Sequence, residues 1–196
     1  MFCEISRLPF LAHPYGEEMV SGAEHIADFL ATRCFPRIFL VTGGACAFIV
    51  DALGRRDDVD IICFQHEQSA AMAADAVWRV SGKVGVTVVT SGPGATNLLT
   101  GIACSFFDSI PTLHITGQVN EQESRIKEFA AVRQAGFQET DIVSMARPIT
   151  KLAVKVGAVQ DLPKALEIAL STALSDRMGP VLLDVPMNVQ KELLRD

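Results

Sequence analysis

The sequence lacks any apolar run long enough to cross a membrane. Its longest strongly apolar stretch, Ile38 to Val50, has thirteen residues and is interrupted by two glycines, whereas a membrane-spanning helix needs about 20 apolar residues. The first eighteen residues carry charges and prolines where a secretory signal peptide would be apolar. We therefore expect a cytoplasmic protein without membrane contact.

Basic charge is scarce as well. The 196 residues include 17 Lys and Arg against 23 Asp and Glu, a net charge of -6 at pH 7, so the chain does not build the positive field that attracts nucleic acid. Its five cysteines are odd in number and include no C-x-x-C pair, which argues against a disulfide framework and a zinc site. We expect no nucleic acid partner, no metal ligands in this chain, and cysteines that are reduced and mostly buried.

The chain does have ample core material, because 49% of its residues are hydrophobic, and its length suits one domain. Short β-branched runs alternate with Ala-rich segments, which is typical of parallel α/β folds. We predict an α/β protein with a doubly wound, six-stranded, mainly parallel sheet and helices on both faces. The predicted strands are Ile38–Thr42, Ile61–Phe64, Gly85–Thr90, Thr112–Thr116, Thr150–Val156 and Val181–Val185. The predicted helices cover residues 19–35, 45–55, 67–80, 94–106, 121–134 and 161–177. We expect Trp78, Phe106 and Phe107 to be core residues.

Residues 19–186 form the predicted domain. Residues 1–18 resemble a lead-in segment, since they include Pro9 and Pro14 and no periodic pattern. Residues 187–196 follow a strand and hold no second core. We expect them to begin a linker to a middle domain outside this sequence.

Four predicted strands are followed by turns rich in glycine or polar residues. These turns are Thr42-Gly43-Gly44, Gln65-His66-Glu67-Gln68, Ser91 to Asn97, and Gly117-Gln118. Ligands of open parallel sheets bind beyond the carboxyl ends of the strands. We therefore expect the four turns to lie at one edge and to form the functional site.

Two of these turns leave a choice open. Glu67, the only acidic residue among them, is either a first-turn carboxylate that offsets the helix dipole or a carboxylate that exchanges a proton in a cleft. Its position does not separate the two roles. The run from Ser91 to Asn97 matches neither nucleotide-binding glycine fingerprint, so it is either a ligand-binding turn or a tight connector.

Six ordered motifs carry a family resemblance. They are Phe64–Ala76, Gly82–Asn97, Asp108–Val119, Gly136–Val143, Arg147–Lys151 and Gly179–Pro186. From about Gly22 to Gln190, the chain resembles the N-terminal pyrimidine-binding (PYR) domain of thiamine-diphosphate enzymes of the acetolactate synthase group.

The resemblance implies a site for the aminopyrimidine ring of thiamine diphosphate. In this family the glutamate matching Glu67 bonds N1′ of that ring, and the enzyme decarboxylates a 2-keto acid and transfers the resulting acyl carbanion to a second carbonyl. The resemblance implies catalytic roles for Glu67 and Gln138, and it places Phe137 and Gln138 on the substrate side. The implied cofactor-binding residues are Gly43, Gly44, Glu67, Pro93 and Asn97.

The resemblance also implies further parts. Family members bind the diphosphate and Mg²⁺ through a separate domain with a Gly-Asp-Gly motif and an Asn-Asn pair, neither of which occurs here. FAD contacts belong largely to a middle domain, which leaves FAD possible but undetermined. The implied partners are the protein's own middle and diphosphate-binding domains and further copies in a homodimer or tetramer.

Two departures from the family pattern leave the 2-keto acid open. Leu40 to Gly44 reads Leu-Val-Thr-Gly-Gly where synthases have Gly-Tyr-Pro-Gly-Gly, and the segment between Val119 and Phe137 is longer and more charged. Three hypotheses stand: a domain of a three-domain synthase that is inactive alone, the small subunit of a split 2-keto acid decarboxylase, or a non-catalytic ligand-binding module. The linker-like tail and the closer match to synthases favour the first.

Overall fold

The computed structural model describes residues 19–124 and 136–194, which build a six-stranded sheet in the order β2-β1-β3-β4-β6-β5. Every neighbouring pair of strands is parallel, so the predicted α/β sheet is confirmed and is parallel throughout. The strands are β1 (Arg37–Val41), β2 (Asp60–Cys63), β3 (Gly85–Val89), β4 (Thr112–Gln118), β5 (Leu152–Lys155) and β6 (Val181–Pro186). Each overlaps its predicted range.

The helices connect these strands. They are α1 (Gly22–Arg33), α2 (Ala47–Gly54), α3 (Glu67–Ser81), α4 (Pro93–Thr96), α5 (Leu99–Asp108), α6 (Ile142–Ala146), α7 (Leu162–Leu174) and α8 (Met187–Lys191), with 3-10 turns at Gly44–Cys46, Arg147–Ile149 and Val159–Asp161. The predicted helix at 94–106 is divided into α4 and α5. The predicted helix at 121–134 falls mostly on residues outside the described ranges, and the short helices α6 and α8 were not predicted.

Helices cover both faces of the sheet, as predicted. Side chains of a strand alternate between its faces, so Val88 joins the cluster packed by α1, α2 and α7, while Val89 joins the one packed by α5 and α6. The strands β3, β4 and β6 are buried along their whole length. That double burial explains why β3 and β6 are mostly apolar or β-branched rather than alternating.

The chain after β6 packs onto the start of α1. The amide of Leu194 donates to the carbonyl of Val20 at 2.9 Å, and the amide of Gly22 donates to the carbonyl of Glu192 at 3.0 Å. Gln190 on α8 is fully buried. The domain boundary at residue 186 stays a prediction, but the residues that directly follow it are packed against the domain.

Two expectations about single side chains need correction. Phe107, predicted to be a core residue, is 69% exposed, because it lies at the end of α5 where no described element covers it. Cys34 and Cys46 are buried, whereas Cys63 and Cys104 are exposed. Burial raises the pKa of Cys34 to about 12 and that of Cys46 to about 11, so both thiols are protonated at neutral pH.

No helix within the described ranges is long and apolar enough to span a bilayer.

Candidate functional site

The order of the strands creates a crevice between β1 and β3. The chain passes from β1 outward to β2 and then returns to place β3 on the opposite side of β1, so the direction of winding reverses there. Ligands of open α/β sheets bind at such a reversal, outside the carboxyl ends of the strands. The turn at Thr42 to Gly44 and the turn at Ser91 to Asn97 follow these two strands, and both flank the crevice.

Thr90 holds the two turns together. Its hydroxyl oxygen accepts a hydrogen bond from the amide of Ala45 at 3.2 Å. A Cβ atom on Gly43 would lie 2.5 Å from the Cβ of Thr90, and a Cβ on Gly94 would lie 2.7 Å from its Cγ2. Glycine is therefore required at both positions by close packing around one threonine. No sequence motif singled out Thr90, although its place directly after β3 could have indicated it.

Glu67 is the first residue of α3 and contacts the Ser91–Asn97 turn. The helix is capped by His66, whose Nδ1 accepts from the amide of Gln68 at 3.2 Å. Glu67 is only 8% exposed, and its Oε2 accepts a hydrogen bond from Nδ2 of Asn97 at 2.8 Å. Its Oε1 would be 3.3 Å from a Cβ on Gly94. The structure thus brings together three residues from two of the predicted turns.

The partner of Glu67 is a neutral amide rather than a cation. None of the ion pairs formed by the described residues includes Glu67. A buried carboxylate held by one neutral donor keeps an oxygen with lone pairs for a further polar group. Glu67 can therefore accept a hydrogen bond from a ligand or hold a proton for it.

The open side of the crevice is formed by Gly44 and Pro93. Both residues are exposed, and a Cβ on Gly44 would meet no atom within 4 Å. Gly43 and Gly44 thus have different surroundings, since Gly43 packs against Thr90 and Gly44 borders free space. A flat ring would have room beside Gly44.

Phe137 and Gln138 lie in a turn that touches the Ser91–Asn97 turn from the other side. A Cβ on Gly92, which has a φ of 61°, would overlap the carbonyl oxygen of Gln138 and lie 2.9 Å from its Cβ. Gln138 itself has a left-handed φ of 51°. The Phe137 ring is 77% exposed and takes no part in the packing, so the structure brings the backbone of this turn to the site but leaves the ring outside it.

Comparison with known proteins identifies the family. The family described as "Thiamine pyrophosphate enzyme, N-terminal TPP binding domain" matches residues 20–145. The chain belongs to this family. It is 40% identical over 172 residues to "Acetolactate synthase isozyme 3 large subunit" of Escherichia coli (strain K12), a match that covers 88% of this chain and 29% of that protein.

Plant relatives give similar sequence identities and coverages. The chain is 40% identical over 172 residues to "Acetolactate synthase, chloroplastic" of Arabidopsis thaliana, covering 88% of this chain and 24% of that protein. It is 40% identical over 182 residues to "Acetolactate synthase 2, chloroplastic" of Zea mays, covering 92% and 27%. The chain thus spans only about a quarter to three tenths of the length of these curated relatives, with the N-terminal TPP-binding domain as its recognised part.

The TPP-binding domain also contains a buried polar network that the sequence analysis missed. Asp184 on β6 accepts hydrogen bonds from Oγ1 of Thr116 at 2.7 Å and from Nε2 of Gln118 at 3.1 Å. Burial raises the pKa of Asp184 to about 6. The two hydrogen bonds act in the opposite direction, but their effect is smaller than that of burial. The acidic residue inside the otherwise apolar strand Val181–Pro186 could have indicated this network from the sequence.

A second missed residue, Gln190, connects α8 to the first turn. Its Nε2 donates to the carbonyl of Ala45 at 2.7 Å and to that of Val185 at 2.8 Å, while its buried Oε1 has no partner. The backbone of Ala45, which directly follows Gly44, is therefore held by Thr90 on its amide and by Gln190 on its carbonyl. Within the described ranges, no three His, Cys, Asp or Glu side chains gather as a metal site would require.

Proposed function

We propose that this domain supplies the pyrimidine half of a thiamine diphosphate site in an acetolactate synthase-like enzyme. That enzyme would decarboxylate a 2-keto acid and transfer the acyl group to a second carbonyl. The observation that carries the proposal is the buried carboxylate of Glu67, held by Asn97 at the reversal point of the sheet. Family membership and the relatives named acetolactate synthase support it.

The described residues suit an aminopyrimidine ring. Glu67 would hold a proton between its carboxylate oxygen and a ring nitrogen, and Asn97 would orient that carboxylate through the 2.8 Å hydrogen bond. Gly43, Gly44 and Pro93 would line the ring, since the space beside Gly44 is open to 4 Å. When bound, thiamine diphosphate supplies the electron sink for decarboxylation, while the protein binds and orients it.

Other parts of the active site would come from beyond the described residues. In this proposal the diphosphate and Mg²⁺ are held by another domain, the use of FAD stays undetermined, and the working enzyme is a homodimer or tetramer. Phe137 and Gln138 would face the 2-keto acid, with Gln138 as a catalytic group. The cytoplasmic location and the absence of nucleic acid partners stay predictions.

Replacing Glu67 with glutamine in the full chain tests the proposal. We expect turnover to fall by about 10² to 10⁴-fold, the usual effect of losing an acid–base group, with the far-ultraviolet circular dichroism unchanged. The measurements are steady-state turnover with a 2-keto acid and calorimetric titration with thiamine diphosphate.

Glu24→Gln is the matched control, because Glu24 is a first-turn glutamate of α1 that caps the helix. If Glu67 only offset the dipole of α3, the two variants would behave alike, with a loss of about 0.3 to 1 kcal/mol in stability and normal turnover. That result would exclude the proposed role of Glu67.

An intact mass of the natural protein near 21.1 kDa would instead favour the small subunit of a split decarboxylase.

A further inference from the structure

Asp184 is a buried carboxylate whose two hydrogen-bond donors are neutral, while Lys155, opposite it on β5, and Asp141 are the charged groups that act on it. It is 3% exposed, and none of the ion pairs of the described residues includes it. Both of its donors, Thr116 and Gln118, lie on the neighbouring strand β4. Burial of an unpaired carboxylate is unfavourable, and apolar residues of similar size often stabilise such positions better. The neighbours of Asp184 on β6 are apolar, so stability alone does not explain an acid here.

The hydrogen bonds of Gln118 give its side-chain amide one orientation. Its Oε1 accepts from the amide of Val119 at 3.0 Å, while its Nε2 donates to Asp184 at 3.1 Å and to the carbonyl of Thr140 at 3.2 Å. A reversed amide would place an N–H group against the N–H of Val119 and an oxygen against two acceptors. Asp184 therefore helps to direct the donor group of Gln118 toward Thr140.

Thr140 ends the turn that carries Phe137 and Gln138. The start of this turn is held separately, because the amide of Gly136 donates to Oε2 of Glu139 at 3.0 Å and the Ser124 hydroxyl donates to the other oxygen of Glu139. The hydrogen bond from Gln118 joins the end of the turn to β4, next to Ile142, which packs into the core.

We propose that Asp184 is a positioning residue that acts through Gln118 to hold the Gly136–Thr140 turn against the Ser91–Asn97 turn. The functional meaning rests on the proposed function, in which Phe137 and Gln138 of this turn face the 2-keto acid. Loss of Asp184 then loosens the substrate side of the site and leaves the ring-binding side around Glu67 unchanged.

Two substitutions at this position separate positioning from charge. Asp184→Ala removes the acceptor and frees the Gln118 amide to reorient. In Asp184→Asn, the amide oxygen still accepts from Gln118, and the new N–H₂ group donates to the hydroxyl of Thr116, which also acts as an acceptor. The asparagine variant should therefore keep the turn in place, whereas the alanine variant should not.

Hydrogen exchange of the full chain, followed by mass spectrometry, reports the turn directly. In Asp184→Ala we expect amide exchange in residues 136–142 to accelerate about tenfold, the population change that corresponds to about one hydrogen bond, with exchange in α1 unchanged. The KM for pyruvate, used as the probe 2-keto acid, should rise about tenfold, with the Kd for thiamine diphosphate within about twofold of wild type. Asp184→Asn should return the exchange rate and the KM to their wild-type values.

Asp75→Ala is the control for loss of a buried carboxylate, since Asp75 accepts from the hydroxyl of Ser105 at 2.9 Å, and it differs from Asp184 in also pairing with Arg79. It should leave exchange at residues 136–142 at the wild-type rate. If Asp184→Ala does not fold, Gln118→Leu removes the same donor at similar volume and should accelerate the same amides.

Several results would overturn the inference. They are unchanged exchange in both Asp184→Ala and Gln118→Leu, an asparagine variant as impaired as the alanine variant, or equal acceleration in the Asp75 control. These outcomes are distinct from failure of the proposed function. Normal turnover in Glu67→Gln together with a loosened turn in Asp184→Ala would refute the catalytic proposal and keep the positioning role.

Discussion

Two adjacent glycines of the first turn should respond in opposite ways to the same substitution. A Cβ on Gly43 would lie 2.5 to 2.7 Å from three atoms of the Thr90 side chain, whereas a Cβ on Gly44 would meet nothing within 4 Å. Thr90 has little freedom to move away, because its hydroxyl accepts from the amide of Ala45. Neither glycine has a left-handed φ, so backbone strain does not enter the comparison.

The magnitudes follow from two opposing effects. Gly43→Ala overpacks the turn, which costs about 1 to 3 kcal/mol, and the lower entropy of the unfolded chain returns about 0.4 to 1 kcal/mol. The net loss in the free energy of unfolding is about 1 to 2 kcal/mol. A chain of this length then loses about 2 to 8 °C in Tm. Gly44→Ala has only the entropic gain and should be neutral or more stable by up to about 1 kcal/mol.

Urea unfolding and calorimetry distinguish the two positions. Unfolding of the 196-residue chain, followed by circular dichroism, measures stability. Titration of the full enzyme with thiamine diphosphate measures binding, for which Gly44→Ala should cost about tenfold or more because its methyl group enters the proposed ring space. Equal stability of the two variants would refute the packing argument around Thr90. Wild-type affinity in Gly44→Ala would refute the assignment of Gly44 to the ring.

Three further predictions concern buried polar side chains. Burial lowers the pKa of His114 to about 3. Below about pH 6.5 the unfolded chain therefore binds a proton at this histidine that the folded chain does not, and the fold loses stability. The stability of wild type relative to His114→Gln should fall by about 3 kcal/mol between pH 6.5 and 4, and a constant difference in urea unfolding would contradict this. The pKa of Asp184 is instead raised to about 6, so the folded chain binds the proton more tightly. Wild type should lose about 2 kcal/mol relative to Asp184→Asn as the pH rises from 4 to 6, and an opposite slope would exclude the raised value. Gln190→Met removes the donor to the carbonyls of Ala45 and Val185 and should lower the free energy of unfolding by about 1 to 3 kcal/mol. Unchanged stability would show that the unpartnered Oε1 offsets both hydrogen bonds.

The α/β fold was predictable because its signals are local. A buried parallel strand reads as a short apolar run, and the helix that follows it shows a different period. All six strands, including the edge strand β5, overlap their predicted ranges. Phe107 was assigned wrongly because apolar character indicates burial only on average, and its exposure depends on what covers the end of α5.

The site was predictable in part. Four turns of unusual composition mark the carboxyl ends of strands, and residue-by-residue resemblance led to Glu67 and Asn97, which the structure joins by a hydrogen bond. The roles of the predicted site residues in binding and catalysis stay predictions. Sequence patterns did not indicate that Gly43 and Gly94 share one neighbour, Thr90, because the contact with Gly43 arises only when β1 and β3 lie side by side.

The sequence by itself determined the class of fold, the family and the edge of the sheet that carries the site. Each of these depends on residues near one another in the chain or on motifs read in order. Only the tertiary structure decided how Asp184 reaches Gln118, 66 residues away along the chain, and how Gln190 reaches the turn at Ala45. Such contacts depend on strand order and register, which arise from the packing of the whole sheet and which no local pattern encodes.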